Sequence, residues 1–236
     1  MGSGIQRQRE LNDQLQIKLN ENRELAKALV VSEEHTRHDV ARELHDEVGQ
    51  TVTVIRTQAS IIKRLTTQQP VLTSAEMIET AALRVYDGVH DVLAKLWPAA
   101  LNNLPLSAAI AALMRELIPQ DQSVLGVLNW QVNDHPMDET LKITLYRICQ
   151  EGVTNAYRHG AASRIEINAR QDNQQIYLTI SDNGKGIDLA SITPGYGLRG
   201  IQSRVSAFGG NVSLSVDNGT CLNVTLPTVS LSTKGN

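Results

Sequence analysis

Apolar residues recur in steps of three and four at Leu44, Val48, Val52, Ile55, Ala59 and Ile62, and again at Ile78, Ala82, Val85, Val89, Val92 and Leu96. That spacing puts each set on one stripe of a helix. Thr66-Thr67-Gln68-Gln69-Pro70 breaks the first helix, and Ser74 is placed to cap a second that runs from Ala75 to about Leu96. Proline at Trp97-Pro98 ends it. Two antiparallel helices with one apolar stripe each cannot bury both stripes, whereas two copies packed as a four-helix bundle can. The pattern therefore predicts a homodimer. Upstream, Leu11, Leu15, Leu25 and Leu29 punctuate a polar stretch from about Ile5 to Val31 and fit a heptad seam if Lys18 and Asn22 take seam positions. This predicts a modest coiled coil that continues, without Gly or Pro, into the next helix. A single solvated helix is the plainer alternative.

From Leu106 the period changes. A helix over Ser107 to Leu117 precedes Leu128-Asn129-Trp130-Gln131-Val132, which alternates like a strand. A helix from Asp138 to about His159 follows. Arg164 to Arg170 and Gln175 to Ser181 both alternate, joined by the hairpin signal Gln171-Asp172-Asn173-Gln174. A helix near Leu198 to Phe208 leads to a last hairpin, Asn211 to Val216 and Cys221 to Leu226, turned at Asp217-Asn218-Gly219-Thr220. Helices mixed with mostly antiparallel strands predict an α/β sandwich with helices on one face. The chain thus divides into residues 1–4, which read as an appended tag, a signalling helix at 5–31, a helical domain at 32–98, an α/β domain at 99–230 and a tail at 231–236.

Composition narrows the classes. The 236 residues carry a net charge of −3, so no overall field favours nucleic acid or an anionic membrane. The two cysteines, Cys149 and Cys221, each fall in an apolar segment and read as buried free thiols of a reducing compartment, not as a disulfide framework or metal site. No run approaches the roughly 18 apolar residues of a membrane helix, and no signal-peptide pattern is present.

Candidate chemistry gathers in four stretches. His45-Asp46 lies one step off the apolar stripe of its helix, so the imidazole points to the bundle edge, and Gly49 follows one turn later on the same face. Asp46 can hold one ring nitrogen and leave the other free as a nucleophile. Glu151, Asn155 and His159 stand at i, i+4 and i+8, forming a polar stripe beside Arg158. An amide oxygen there suits Mg²⁺, which prefers oxygen ligands shared with phosphate. Asp182-Asn183-Gly184-Lys185-Gly186 ends a strand with an acid free to accept from an amino group and glycines that admit a ligand. Gly195-Tyr196-Gly197-Leu198-Arg199-Gly200 matches G-x-G-x-x-G, yet no strand precedes it and no parallel βαβ series surrounds it, so the dinucleotide-fold reading is rejected. A lid leading into a phosphate-binding helix N-terminus fits better. His35, His38, His90 and His135 lie in polar surroundings without metal-ligand spacing and read as surface residues.

Together these residues resemble the two-component sensor histidine kinases of the subfamily that pairs with NarL-type response regulators. Ala41-Arg42-Glu43-Leu44-His45-Asp46 with Gln50 looks like the phosphoacceptor box, Asn155 the N box, Asp182-x-Gly184-x-Gly186 the first glycine box and Gly195-x-Gly197-Leu198 the second. The stretches Asp39 to Gln50, Arg56 to Ala59 and Tyr146 to Gly152 are most similar to the hexose-phosphate-sensing branch of enteric bacteria. The resemblance implies a dimeric four-helix bundle followed by an ATP-binding α/β sandwich of the histidine kinase, gyrase and chaperone type. It implies ATP and Mg²⁺ as cofactors, with Asp182 on the adenine amino group, Asn155 as metal ligand and Glu151 helping the metal shell or orienting the site. Arg158, His159 and Thr220 complete the nucleotide-binding set, and Gly184, Gly186, Gly195, Gly197 and Leu198 shape the lid. His45 would take the γ-phosphoryl group, Asp46 its proton, and Gln50 would orient water for dephosphorylation. The implied partners are a second copy, a cognate NarL-type response regulator and a membrane-embedded sensor, with no direct contact to nucleic acid. The part described here would face the bacterial cytoplasm, with an inner-membrane domain before it. Two departures stand out. Gly160 and Trp97 replace the more usual alanine and arginine, and neither is expected to touch the chemistry.

Two rivals remain. An ATPase of the gyrase/chaperone type has Glu151 available to activate water, but leaves the His45-Asp46 helix unexplained. A catalytically silent dimeric scaffold that sequesters a regulator has no need of Asn155, Asp182, Gly184 and Gly186.

Overall fold

The computed structural model describes residues 2–118, 123–134, 137–172, 174–187 and 196–228. Gly195, His135, Asn173 and the predicted tail at 231–236 lie outside the described residues. By packing, the chain divides into residues 32–102 and a second unit made of residues 1–31 and 103–236.

Helix α1 spans Gly2–Leu65 without interruption and α2 spans Gln69–Leu96. The break falls where expected, but Pro70 opens α2 instead of closing α1. Proline fits the first turn of a helix because its missing N–H would have had no partner there. Ser74 is consequently inside α2, not at its cap, and its hydroxyl donates back to the Pro70 carbonyl at 2.9 Å. The seam between the two helices is made mostly of small side chains: Ala41, Val52 and Ala59 on α1, and Ala75, Ala82 and Leu93 on α2, all buried. Lys63 Nζ reaches Glu79 Oε2 at 3.2 Å, and the His38 and Trp97 rings meet edge-on at 4.6 Å. Ile55, Ile62, Ile78, Val85 and Val92, also counted in the apolar stripes, remain exposed. One helix partner covers only part of so wide a stripe. Upstream, Leu11, Leu15, Leu25 and Leu29 are exposed as well.

The short α3 (Ala100–Asn103) spans the division between the units, and the α/β unit contains α4 (Leu106–Leu117), β1 (Leu125–Gln131), α5 (Glu139–Arg158), β2 (Arg164–Gln171), β3 (Gln175–Asp182), α6 (Tyr196–Ala207), β4 (Asn211–Val216) and β5 (Thr220–Pro227). The sheet order is β1-β2-β3-β5-β4; β1 and β2 run parallel, and the other pairs antiparallel. Alternation sends Ile165, Ile167 and Ala169, Ile176, Leu178 and Ile180, and Leu222, Val224 and Leu226 to one buried face. Ile110 and Leu113 of α4, Leu145, Ile148 and Val153 of α5 and Val205 of α6 are buried with them. The opposite face is polar, with Asn129 Nδ2 donating to Asn168 Oδ1 at 2.8 Å and Thr179 Oγ1 to Asn223 Oδ1 at 3.0 Å. Asp138 caps α5 by accepting from the Thr140 and Leu141 amides. Helix α4 has no cap of its own at Pro105; the carboxylate of Asp134 accepts from the Leu106 amide instead.

Candidate functional site

A cavity of about 440 Å³ opens beside α5, the end of β3, the start of β5 and the first turn of α6. Its apolar floor includes Ile180, Leu222 and Leu214, a row that crosses three strands because Ile180 pairs with Leu222 and Leu222 with Leu214. Leu198 and Ile201 of α6 and Ile187 add to the apolar lining. The polar groups are few: Glu151 and Asn155 from α5, His159 just after its end, Asp182 from β3 and Thr220 from β5. An apolar slot with Asp182 at its edge suits a flat heteroaromatic ring that carries an amino group.

Three of these groups are held by local structure. The Asp182 carboxylate accepts from the Gly184 amide at 2.7 Å through Oδ1, and Oδ2 has no partner among the described residues. Asn155 Nδ2 donates to Glu151 Oε1 at 2.9 Å, one turn back along α5. That bond commits the amide nitrogen and leaves Asn155 Oδ1 as a free oxygen donor, the chemistry a hard cation requires. Glu151 in turn lies directly under the first turn of α6: a Cβ added to Gly197 would overlap its carboxylate. Gly197 therefore lets the first turn of α6 come close to the Glu151 carboxylate.

Eight of the residues expected to bind nucleotide line this one cavity: Glu151, Asn155, His159, Asp182, Gly186, Gly197, Leu198 and Thr220. Gly184 stands behind the wall, and Arg158 is exposed outside it. Gly195 lies outside the described residues. Gly160, expected to stand apart from the chemistry, lines the cavity. Its carbonyl accepts from the Lys185 amide at 2.9 Å, and a Cβ on Gly184 would overlap that carbonyl. The end of α5 turns back onto the Asp182 loop, which brings Gly160 in. The floor residues were missed because an inward position on an alternating strand looks the same whether it meets core or cavity.

In the helical unit, His45, Asp46 and Gln50 are all exposed on α1. The expected hydrogen bond from the His45 ring to the Asp46 carboxylate is not formed; successive helical residues point about 100° apart and do not face one another. Gly49 leaves open space, since a Cβ there would meet nothing within 4 Å. The His45 ring instead faces His90 of α2, with centroids 6.2 Å apart and planes at 70°, and His90 lies 5.9 Å from Tyr86. His90 is exposed, as expected, with ring neighbours on one side, whereas His38 is half-buried against Trp97. Among the described residues no cluster of His, Cys, Asp and Glu has metal-site geometry.

Known proteins resemble both parts of the chain. The family model of histidine kinase-, DNA gyrase B- and HSP90-like ATPases matches residues 140–230, and a histidine kinase model matches residues 36–101. The signal transduction histidine-protein kinase/phosphatase UhpB of Salmonella typhimurium is 42% identical over 228 residues, covering 96% of this chain and 46% of that protein. The chain thus spans about half the length of this curated relative. Among solved structures, the histidine kinase domain of the Erythrobacter litoralis EL346 blue-light activated histidine kinase aligns over 75% of this chain and 96% of its own, with a TM-score of 0.49 and 16% identity. The ATP-binding domain of PrrB from Mycobacterium tuberculosis aligns over 53% and 93%, with a TM-score of 0.44 and 21% identity. With both family models matched in order and 42% identity along nearly its whole length, the chain belongs to the histidine kinase family.

Proposed function

We propose that this chain phosphorylates itself on His45 from Mg-ATP and passes the phosphoryl group to an aspartate of a cognate NarL-type response regulator, which it also dephosphorylates. The observation that carries the reading is the single cavity in which an apolar floor, Asp182 and the free Asn155 Oδ1 converge. Asp182 Oδ2 accepts the adenine amino group, and Thr220 lies at the same wall. Asn155 Oδ1 is the oxygen that would hold Mg²⁺, with Glu151 fixing its direction. The metal, when bound, supplies positive charge against the phosphates.

The His45 nitrogen attacks the γ-phosphorus. One N–P bond forms, the bond to the ADP oxygen breaks, and the ring proton leaves to Asp46 or solvent. No described residue forms a hydrogen bond to either His45 nitrogen, so the attacking nitrogen is accessible. Gln50, on the exposed side of the same helix, orients water when the regulator is dephosphorylated. Exposed Ile55, Ile62, Ile78, Val85 and Val92 support a homodimer, since a second copy supplies the surface they lack. No described helix is long and apolar enough to cross a membrane. The part described here is proposed to face the cytoplasm, joined to an inner-membrane domain and working with a membrane-embedded sensor.

Incubation with γ-labelled ATP and Mg²⁺ tests this, comparing the chain with His45→Ala and Asn155→Ala. Acid-labile, base-stable label lost from both variants is the expected result. Nucleotide hydrolysis without protein label would favour the ATPase reading, for which Glu151 in the cavity is the supporting observation.

A further inference from the structure

We propose that His90 is a positioning residue for His45: its ring, edge-to-face against the His45 imidazole, holds that ring in the orientation from which it attacks. The inference rests on the reading of His45 as phosphoacceptor. It answers a need that the helix creates. An exposed imidazole on a straight helix rotates about two side-chain bonds, and every wrong orientation subtracts from the reactive population. Asp46, the residue expected to restrain it, makes no hydrogen bond to the ring, and no other described residue does. His90 is the group that touches it.

The geometry is that of a ring pair. The centroids are 6.2 Å apart and the planes cross at 70°, within the range in which the edge of one ring meets the face of another. His90 is backed by the half-buried Tyr86 at 5.9 Å, so three rings run from the inner part of α2 out to His45. Contacts on either side set the register that makes this meeting possible. Lys63 meets Glu79 at 3.2 Å toward one end of the helix pair, and His38 meets Trp97 at 4.6 Å toward the other. Packing restrains the ring without occupying its nitrogens, whereas a hydrogen bond would consume one. A restraint of this strength shifts an orientation population by about three- to tenfold. Because His90 lies in a different unit from the nucleotide cavity, that shift falls on the phosphorylation rate and not on ATP affinity.

The experiment follows single-turnover labelling of the full chain by γ-labelled ATP over a range of ATP concentrations, with His90→Ala, His90→Phe and His45→Ala in parallel. His90→Ala is expected to slow the limiting rate about three- to tenfold with half-saturating ATP unchanged, while His90→Phe, which keeps a ring, stays within about twofold. Long-range ¹H–¹⁵N spectra of the His45 ring should move toward the free-histidine pattern in His90→Ala and not in His90→Phe. An unchanged rate in His90→Ala overturns the proposal, and so does a His90→Phe rate as slow as that of His90→Ala. Label that survives His45→Ala overturns the phosphoacceptor reading itself. Label lost from His45→Ala but unaffected by His90→Ala rejects only the role of His90.

Discussion

The bond between Glu151 and Asn155 separates two roles that a carboxylate in this cavity could fill. If Glu151 serves to orient the Asn155 amide, its acceptor oxygen matters and its charge matters less. If it activates water, the charge is indispensable. The two substitutions Glu151→Gln and Glu151→Ala split these cases. Glu151→Gln keeps an acceptor oxygen at the same reach from Asn155 Nδ2, which now sits 2.9 Å from Oε1. The loss is then the difference between a bond to a charged acceptor, about 1.5–3 kcal/mol, and one to a neutral acceptor, about 0.5–1.5 kcal/mol. For a half-exposed pair the lower ends apply, so about 1 kcal/mol, or roughly fivefold, is expected. Glu151→Ala removes the bond outright and lets the amide turn its nitrogen toward the metal. That costs about 1.5–2 kcal/mol, roughly 10- to 30-fold. The assay is autophosphorylation rate against Mg²⁺ concentration at fixed ATP. The Ala variant should need more Mg²⁺ while binding metal-free nucleotide normally. A Gln variant as impaired as the Ala variant would refute the orienting role.

Three further outcomes follow from the packing. Burial pushes the Cys149 thiol far above its ordinary range while Cys221 is half-buried, so a thiol reagent at neutral pH should titrate Cys221 in the native chain and Cys149 only after unfolding. Asp172 is held below 3.8 by hydrogen bonds from the Gln174 and Gln175 amides, so its contribution is present above that pH and lost as pH falls through its lowered folded value. Asp172→Ala should therefore lower the unfolding temperature at neutral pH, and the gap should close in acid. Leu178 is 1% exposed at the centre of β3, so Leu178→Ala should cost about 2–5 kcal/mol by denaturant unfolding and take nucleotide binding with it.

Most elements were legible along the chain because they depend on neighbours. The period of the apolar residues located α1 and α2, Asp138 marked the start of α5, and alternation set β2 and β3 to within a residue or two. Where a local sign was ambiguous it misled. Pro70 was read as a breaker and Ser74 as a cap, although proline serves equally well in a helix's first turn. The polar cavity residues were visible because Glu151, Asn155 and His159 repeat at one helical face and Asp182 ends a strand.

What the sequence determined by itself, then, was the set of helices and strands and the polar residues they carry, since both follow from periods of two and 3.6 residues. Only the tertiary structure decided that Ile180, Leu222 and Leu214 make one floor, that Gly160 reaches the Asp182 loop, and that His90 meets His45. These are contacts across strand register and helix register. Register is set by how whole faces interlock, so a residue's own neighbours in the chain carry no trace of it.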